Sequence, residues 1–416
     1  KERTTQQRFR IGDRERLYSV TYRPHNPGQI AVGATRKILL LDLDRGTGPA
    51  LSAPLPGSSG QTVWQTVSMD AKGTRIAAST YVRHSKDSQI TPINVWMREH
   101  GRIREMPEWT LAEAVSSSLA MAPNGQYLIT VDCHGSPTEW PLLEGTQPEP
   151  IHMSVAGGQN ECGKQSISPV FSPDGRLLAT ADGKTLRLWK RGAPGAGAWS
   201  ETPSDNLRRP VDNESMAPMD DRISTLGFSA NSQYLAVGGK SGYVRLWKVE
   251  DGRSGGKFAQ VAAADVGQRV SVLAFNPDGT KLLVGGEGAI LTRWSLPTLA
   301  MDGVPDARHV RSITGAAYAL DRGPGERPMH VTAGADGYVV EWTPWNNNPK
   351  NAIDLAEQGS SPVRAIALSR DGTFLVTAGD DLLGWNLAPD HVLDVAKAYA
   401  DRRYREPEAK PGAGTK

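Results

Sequence analysis

The sequence predicts an all-β protein: an eight-bladed β-propeller over residues 1–387, closed by an N-terminal strand, then a C-terminal helix over 388–405 and a disordered tail over 406–416. Tryptophan recurs at Trp96, Trp140, Trp189, Trp247, Trp294, Trp342 and Trp385, at intervals of about 43 to 58 residues, a period that marks a repeat architecture. Each of these tryptophans closes a short alternating run, as in TLRLW (185–189), VRLW (244–247), LTRW (291–294) and YVVEW (338–342). Upstream lies a run ending in small residues, as in LLATA (177–181), YLAVGG (234–239), KLLVGG (281–286) and FLVTAG (374–379). A third run precedes it, as in ISPVFSPDG (167–175) and VLAFNPDG (272–279), and ends in a Pro-Asp-Gly turn.

Each unit therefore reads as strand, tight turn, strand, Gly-containing turn, strand with Trp, and a more variable outer segment. Period-two alternation with Gly, Asn and Asp at the turns is what hairpin-linked strands require, because those residues tolerate positive φ. One four-stranded meander cannot bury both of its faces, so the units must pack face to face around a common axis. First strands fall near residues 17, 64, 115, 166, 223, 270, 313 and 363, which gives eight units. The first of them, LYSVTY (17–22), QIAVG (29–33) and KILLLDL (37–43), has Leu41 where the other seven have Trp. An open ring would expose two sheet edges. The last unit has no outer strand of its own, so QQRFRIG (6–12) is expected to supply it, with Phe9 and Ile11 beside the strand that ends at Trp385.

On the SPDG-like first turns and the RLW strand endings, residues 6–387 resemble the WD-repeat β-propeller family. The Asp that this family often places before the third strand stands only at Asp182, Asp336 and Asp380 or Asp381, and His309 alone matches the His that precedes first strands. In this family the turns between second and third strands and the links between blades open on one face, the usual partner surface. The resemblance therefore implies a recognition rim carrying Arg83, His84 and Lys86 in the insertion 81–92, and Arg208 and Arg209 in the insertion 191–221. The turn residues His134, Lys240 and Glu287 complete it, and the insertion 142–165 is expected to crowd the same rim. Asp174, Asp278 and Arg370, in first turns, belong to the opposite face.

Residues 389–404, PDHVLDVAKAYADRRY, space Val392, Val395, Ala396 and Tyr399 at i, i+3, i+4 and i+7, an apolar helical stripe, with arginines suited to its C-terminal end. The ending LLGWNLAPD, followed by AKAYADRR, also resembles the close of propellers in bacterial multidomain signalling proteins of the STAND ATPase class. That resemblance implies a sensor or scaffold module of a signalling or defence protein, with an ATPase module preceding Lys1. The partner would be a protein ligand or other domains or subunits of the same assembly.

Lys plus Arg total 47 against 45 for Asp plus Glu, a net charge of +2 that argues against nucleic acid or an anionic membrane as the main partner. No apolar run approaches a membrane span and no secretory leader is visible, so a cytoplasmic location is expected. Cys133 and Cys162 then read as free thiols. Cys133 and His134 are neighbours on a strand and point to opposite faces, which argues against a metal pair. GQNECGKQ (158–165) mimics a phosphate loop, but Gln165 replaces the Ser or Thr that holds Mg²⁺, and a strand rather than a helix follows. No catalytic, cofactor or metal residues are assigned. A propeller enzyme, hydrolase or lyase, acting in the central channel is the alternative, as is a stand-alone scaffold subunit. First strands of small and apolar residues, VLAF, TLGF, GAAY and AIAL, disfavour a catalytic channel.

Overall fold

The computed structural model describes residues 17–22, 29–34, 38–42, 52–55, 63–81, 93–99, 102–111, 118–132, 136–153, 167–183, 185–192, 199–202, 221–250, 257–303, 309–319, 329–342, 352–356 and 361–387. The chain divides into two compact units, residues 1–51 with 387–416, and residues 52–386. In the first, Leu17–Tyr22, Gln29–Ala34 and Ile38–Asp42 form a three-stranded antiparallel sheet in chain order.

The second unit contains seven four-stranded sheets, so the propeller has seven blades and not eight. Blade 1 is Val63–Met69, Arg75–Tyr81, Ile93–Glu99 and Arg102–Glu105. Blade 2 is Ser118–Met121, Tyr127–Val131, Pro137–Pro141 and Ile151–His152. Blade 3 is Val170–Phe171, Leu177–Asp182, Thr185–Arg191 and Trp199–Glu201. Blade 4 is Ile223–Phe228, Tyr234–Gly239, Tyr243–Glu250 and Lys257–Asp265. Blade 5 is Val270–Phe275, Lys281–Gly286, Thr292–Ser295 and Ala300–Met301. Blade 6 is Ile313–Tyr318, His330–Gly334, Val339–Trp342 and Ala352–Ala356. Blade 7 takes Ala365–Leu368, Phe374–Ala378 and Leu382–Asn386 from its own meander and Ser52–Pro54 as its outer strand.

That borrowed strand corrects the expected closure. Ser52 pairs with Trp385, Ala53 with Gly384 and Pro54 with Leu383, and the Leu55 N–H donates to the Leu382 carbonyl at 3.0 Å. The last edge is thus paired from the segment just before blade 1, where the fourth strand of the first unit was expected. The ring closes between blades 7 and 1, where Trp64 N–H donates to Gly379 O (2.7 Å) and Arg370 N–H to Ala71 O (2.9 Å). Residues 6–12, the expected closing strand, and 389–404, the expected helix, lie outside the described residues. Among the described residues there is no α-helix, only a 3-10 turn at Pro107–Trp109.

The first turns work as their sequence suggests. Ser172 Oγ donates to Asp174 Oδ1 (2.6 Å) and accepts from Leu177 N–H (2.9 Å), and Ser229 with Asn231 and Ser369 with Asp371 repeat the arrangement. A glycine then takes the left-handed conformation, at φ +71° in Gly175 and, in the blade 5 turn, Gly279, and +73° in Gly372, whereas the Ser229 turn places Ser232 there at φ +58°.

The core lies between blades. Trp96, Trp189, Trp247, Trp294, Trp342 and Trp385 are buried, and Trp140 sits at the edge of burial. Four of them donate from the indole N–H to a threonine on the second strand: Trp140 to Thr130, Trp189 to Thr180, Trp342 to Thr332 and Trp385 to Thr377, at 2.8 to 3.0 Å. Blade 6 extends this into a buried chain. His309 Nε2 lies 2.9 Å from Thr332 Oγ1 and His309 Nδ1 lies 3.1 Å from Asp336 Oδ2, which also accepts from Val310 N–H.

Candidate partner-binding face

Each second-to-third turn must meet the link that enters its own blade, because both run across the same edge of the sheet. In blade 4 Lys240 N–H donates to Arg222 O (2.8 Å) and Ser241 N–H to Asp221 Oδ1 (3.0 Å). In blade 5 Glu287 N–H donates to Arg269 O (3.2 Å) and Gly288 N–H to Gln268 Oε1 (2.8 Å). Blade 6 joins Ala335 to Ser312, and blade 7 joins Arg364 to Ala378. The small residues that end second strands permit this approach. A Cβ at Gly239 would strike the Asp221 carboxylate, and one at Gly286 the Arg269 carbonyl.

The first strands add a feature that the sequence reading missed. Their pairing slips by one residue between Ile223 and Thr225, Val270 and Val272, and Ile313 and Gly315, leaving Ser224, Ser271 and Thr314 as bulge residues. A bulge re-aims a side chain. Here each hydroxyl turns toward the next blade: Ser224 Oγ donates to Val270 O (2.5 Å), Ser271 Oγ to Ile313 O (2.6 Å) and Thr314 Oγ1 to Val363 O (2.8 Å). The signal was a hydroxyl residue directly after the apolar start of the strand, in ISTL, VSVL and ITGA.

These hydroxyls line a cavity of about 420 Å³ at this end of the ring axis, with Arg269, Glu287 and Arg364 among its walls. Arg269 and Glu287 form an ion pair at 2.7 Å, and Arg364 lies 3.8 Å from Asp380. A second cavity of about 410 Å³ shares Ser168, Pro169, Val170 and Thr314 with the first and reaches the first-turn face at Asp70, Pro123 and Arg370. Its Asp70 carboxylate accepts from Thr74 N–H, Thr74 Oγ1 and Arg75 N–H, so it serves the turn. Tyr318 in its wall has its hydroxyl pKa pushed up by burial and stays protonated.

Behind Tyr318 the His330 ring lies 4.8 Å from the tyrosine ring and stacks on Trp342 at 5.8 Å. Burial, and then the charge of Arg293, hold its pKa down to about 3 from an ordinary 6.5. The unfolded chain takes up this proton near 6.5, whereas the folded chain refuses it until about 3, so stability falls as pH drops through that window. His330→Gln is expected to flatten that slope, as read from urea midpoints just above and well below pH 6.5. An unchanged slope would remove His330 as its cause.

Of the expected rim residues, the structure describes two. Lys240 is half-buried and Glu287 exposed, each in its second-to-third turn on this face. Arg83, His84, Lys86, His134, Arg208 and Arg209 lie outside the described residues, as do Cys133, Cys162 and 158–165. The described part of the insertion 142–165 departs from expectation, and residues 154–165 lie outside the described residues. Its residues 142–150 link third and outer strands and lie with the first turns, since Arg75 Nη1 donates to both Gly125 O and Leu142 O. Among the described residues no cluster of His, Cys, Asp and Glu could hold a metal ion. No helix among them is long and apolar enough to cross a membrane.

Three segments, residues 161–190, 217–248 and 355–383, match the family WD domain, G-beta repeat. The chain carries WD repeats in a seven-bladed β-propeller. The matched repeats fall on blades 3, 4 and 7, and blade 6, outside the match, carries the His309, Asp336, Thr332 and Trp342 chain. No curated protein matches the sequence.

Proposed function

We propose that this WD-repeat propeller is a non-catalytic protein-recognition module that binds its partner on the face of second-to-third turns and links. The carrying observation is the use of that face: main-chain bonds fix the turns of blades 4 to 7 to their links, so charged side chains stand on a rigid rim around the channel mouth. Rigid elements make precise sites. A WD-repeat propeller fits an interaction module. The ending LLGWNLAPD with AKAYADRR supports a place in a cytoplasmic bacterial signalling or defence protein of the STAND type, its partner being a protein ligand or a neighbouring domain or subunit.

Affinity capture followed by mass spectrometry identifies the partner. A large interface concentrates its energy in a few anchors, so alanine at one of Arg83, Arg208 or Arg209 is expected to lose about 2 kcal/mol of binding with folding intact. The same change at Asp174, Asp278 or Arg370 on the first-turn face is expected to be tolerated. Equal losses on both faces, or losses only among the first turns, would overturn the assignment.

A further inference from the structure

The outer strand of a propeller blade is a sheet edge, and an exposed edge is a template for further pairing unless it is short, charged or broken by proline. Six of the seven blades have such protection. Ile151–His152 and Ala300–Met301 are two residues long and Trp199–Glu201 is three. Ser52–Pro54 ends in proline, Arg102–Glu105 is charged at three of four positions, and Ala352–Ala356 has Asp354 at its centre. Blade 4 differs. Its outer strand Lys257–Asp265 runs for nine residues, KFAQVAAAD, with no charged residue between its ends. It is the terminal strand of its sheet, and among the described residues no strand pairs with its outer edge. Val261 and Asp265 are exposed, whereas Phe258, Gln260 and Ala262 are buried.

An irregularity in this edge decides what can pair with it. The ladder to the third strand slips between Leu246 and Trp247, so Val261 is an extra residue between Gln260 and Ala262. Outward N–H and C=O groups alternate along a strand, and one extra residue shifts the alternation. A regular strand matched to Lys257–Gln260 is therefore out of register with Ala262–Asp265. A second copy carries the same extra residue. Val261 is the fifth of the nine residues, so antiparallel pairing about a two-fold axis at this point sets slip against slip and keeps both halves in register. The same arrangement brings the Lys257 end of each strand to the Asp265 end of the other, opposite charges at both ends. Asp265 also accepts the Gly267 N–H at 2.8 Å, a bond that leaves its charge in place. We propose that the blade 4 edge pairs with the same edge of a second copy of this chain, joining two propellers through one continuous sheet. A net charge of only +2 puts little repulsion between the copies. Outer strands lie farthest from the channel, so the turn-and-link face stays open in both copies.

Sedimentation velocity on the full chain, from about 1 to 100 µM, is expected to show a dimer that dissociates on dilution. Val261→Lys and Val261→Glu each set like charges against one another at the axis and are expected to weaken the dimer more than about tenfold. An equimolar mixture of the two variants is expected to recover a dimer of one copy of each, which requires residue 261 of one copy to lie beside residue 261 of the other. Met301→Lys, on the outer edge of blade 5, is expected to leave the dimer unchanged. Hydrogen exchange needs no variant: the amides of Lys257–Asp265 should gain protection as the parent protein is concentrated. The proposal fails if the parent stays monomeric throughout, assembles beyond two copies or gains no protection in that strand. It fails equally if the folded Val261 variants dimerise as the parent does, if their mixture stays monomeric, or if Met301→Lys is as damaging.

Discussion

Replacing Trp189 by alanine is expected to cost about 3–5 kcal/mol of folding free energy, the range for deleting a buried aromatic side chain. Trp189 is fully buried, in a cluster that joins blade 3 to Ala122, Tyr127, Ile129 and Val131 of blade 2. The loss is therefore felt at a blade interface. Truncation would also orphan the Thr180 hydroxyl, which accepts the indole N–H at 3.0 Å. Trp189→Phe keeps most of the volume and drops the hydrogen bond, so about 1–3 kcal/mol is expected for it, and the gap between the two variants isolates packing. Urea denaturation checks both. A Trp189→Ala midpoint equal to that of the parent would place the residue outside the core.

Leu55 carries the second large effect. It is buried, at 2 % exposure, in a cluster with Trp64 and Trp96 of blade 1 and Phe374, Val376 and Leu382 of blade 7, so it packs across the closing seam. Leu55→Ala is expected to cost about 2–5 kcal/mol, and Leu55→Asp more, because a carboxylate there has no water. Hydrogen exchange locates the damage: the Leu382–Asn386 amides should lose protection before those of blades 3 to 5. Uniform loss around the ring would mean that the seam is no weaker than any other interface. Removing residues 1–12 is expected to leave the Ser52–Pro54 pairing in place.

Repeat period, turn chemistry and strand order were legible because each is local and recurs. The SPDG turns, the small residues that end second strands and the Trp that ends third strands all have the positions read from them. Blade number was not legible, since counting motifs does not say which meander joins the ring. The first meander has the right runs, but the segment that would complete it, Ser52–Pro54, pairs 330 residues away with Leu383–Trp385. That choice is made by long-range edge pairing, to which no short window of sequence is sensitive. Leu41 in place of Trp was the visible mark of the odd unit. Of the expected rim residues, Lys240 and Glu287 stand in the second-to-third turns where the strand pattern puts them. The hydroxyl bulges were present as ISTL, VSVL and ITGA, yet a one-residue slip in register is invisible to alternation alone.

A seventh blade woven from two distant stretches also sets a timetable for synthesis. Blades 2 to 5 are contiguous meanders that can form as they leave the ribosome, whereas Ser52–Pro54 has no partner until Leu382–Asn386 is made. At ordinary elongation rates of about 5–20 residues per second that wait is on the order of tens of seconds. Throughout it Leu55 and the face of Trp64 turned toward blade 7 stay uncovered. The nascent chain thus carries an exposed apolar edge for most of its translation, which makes the final strand the step at which chaperone dependence should end.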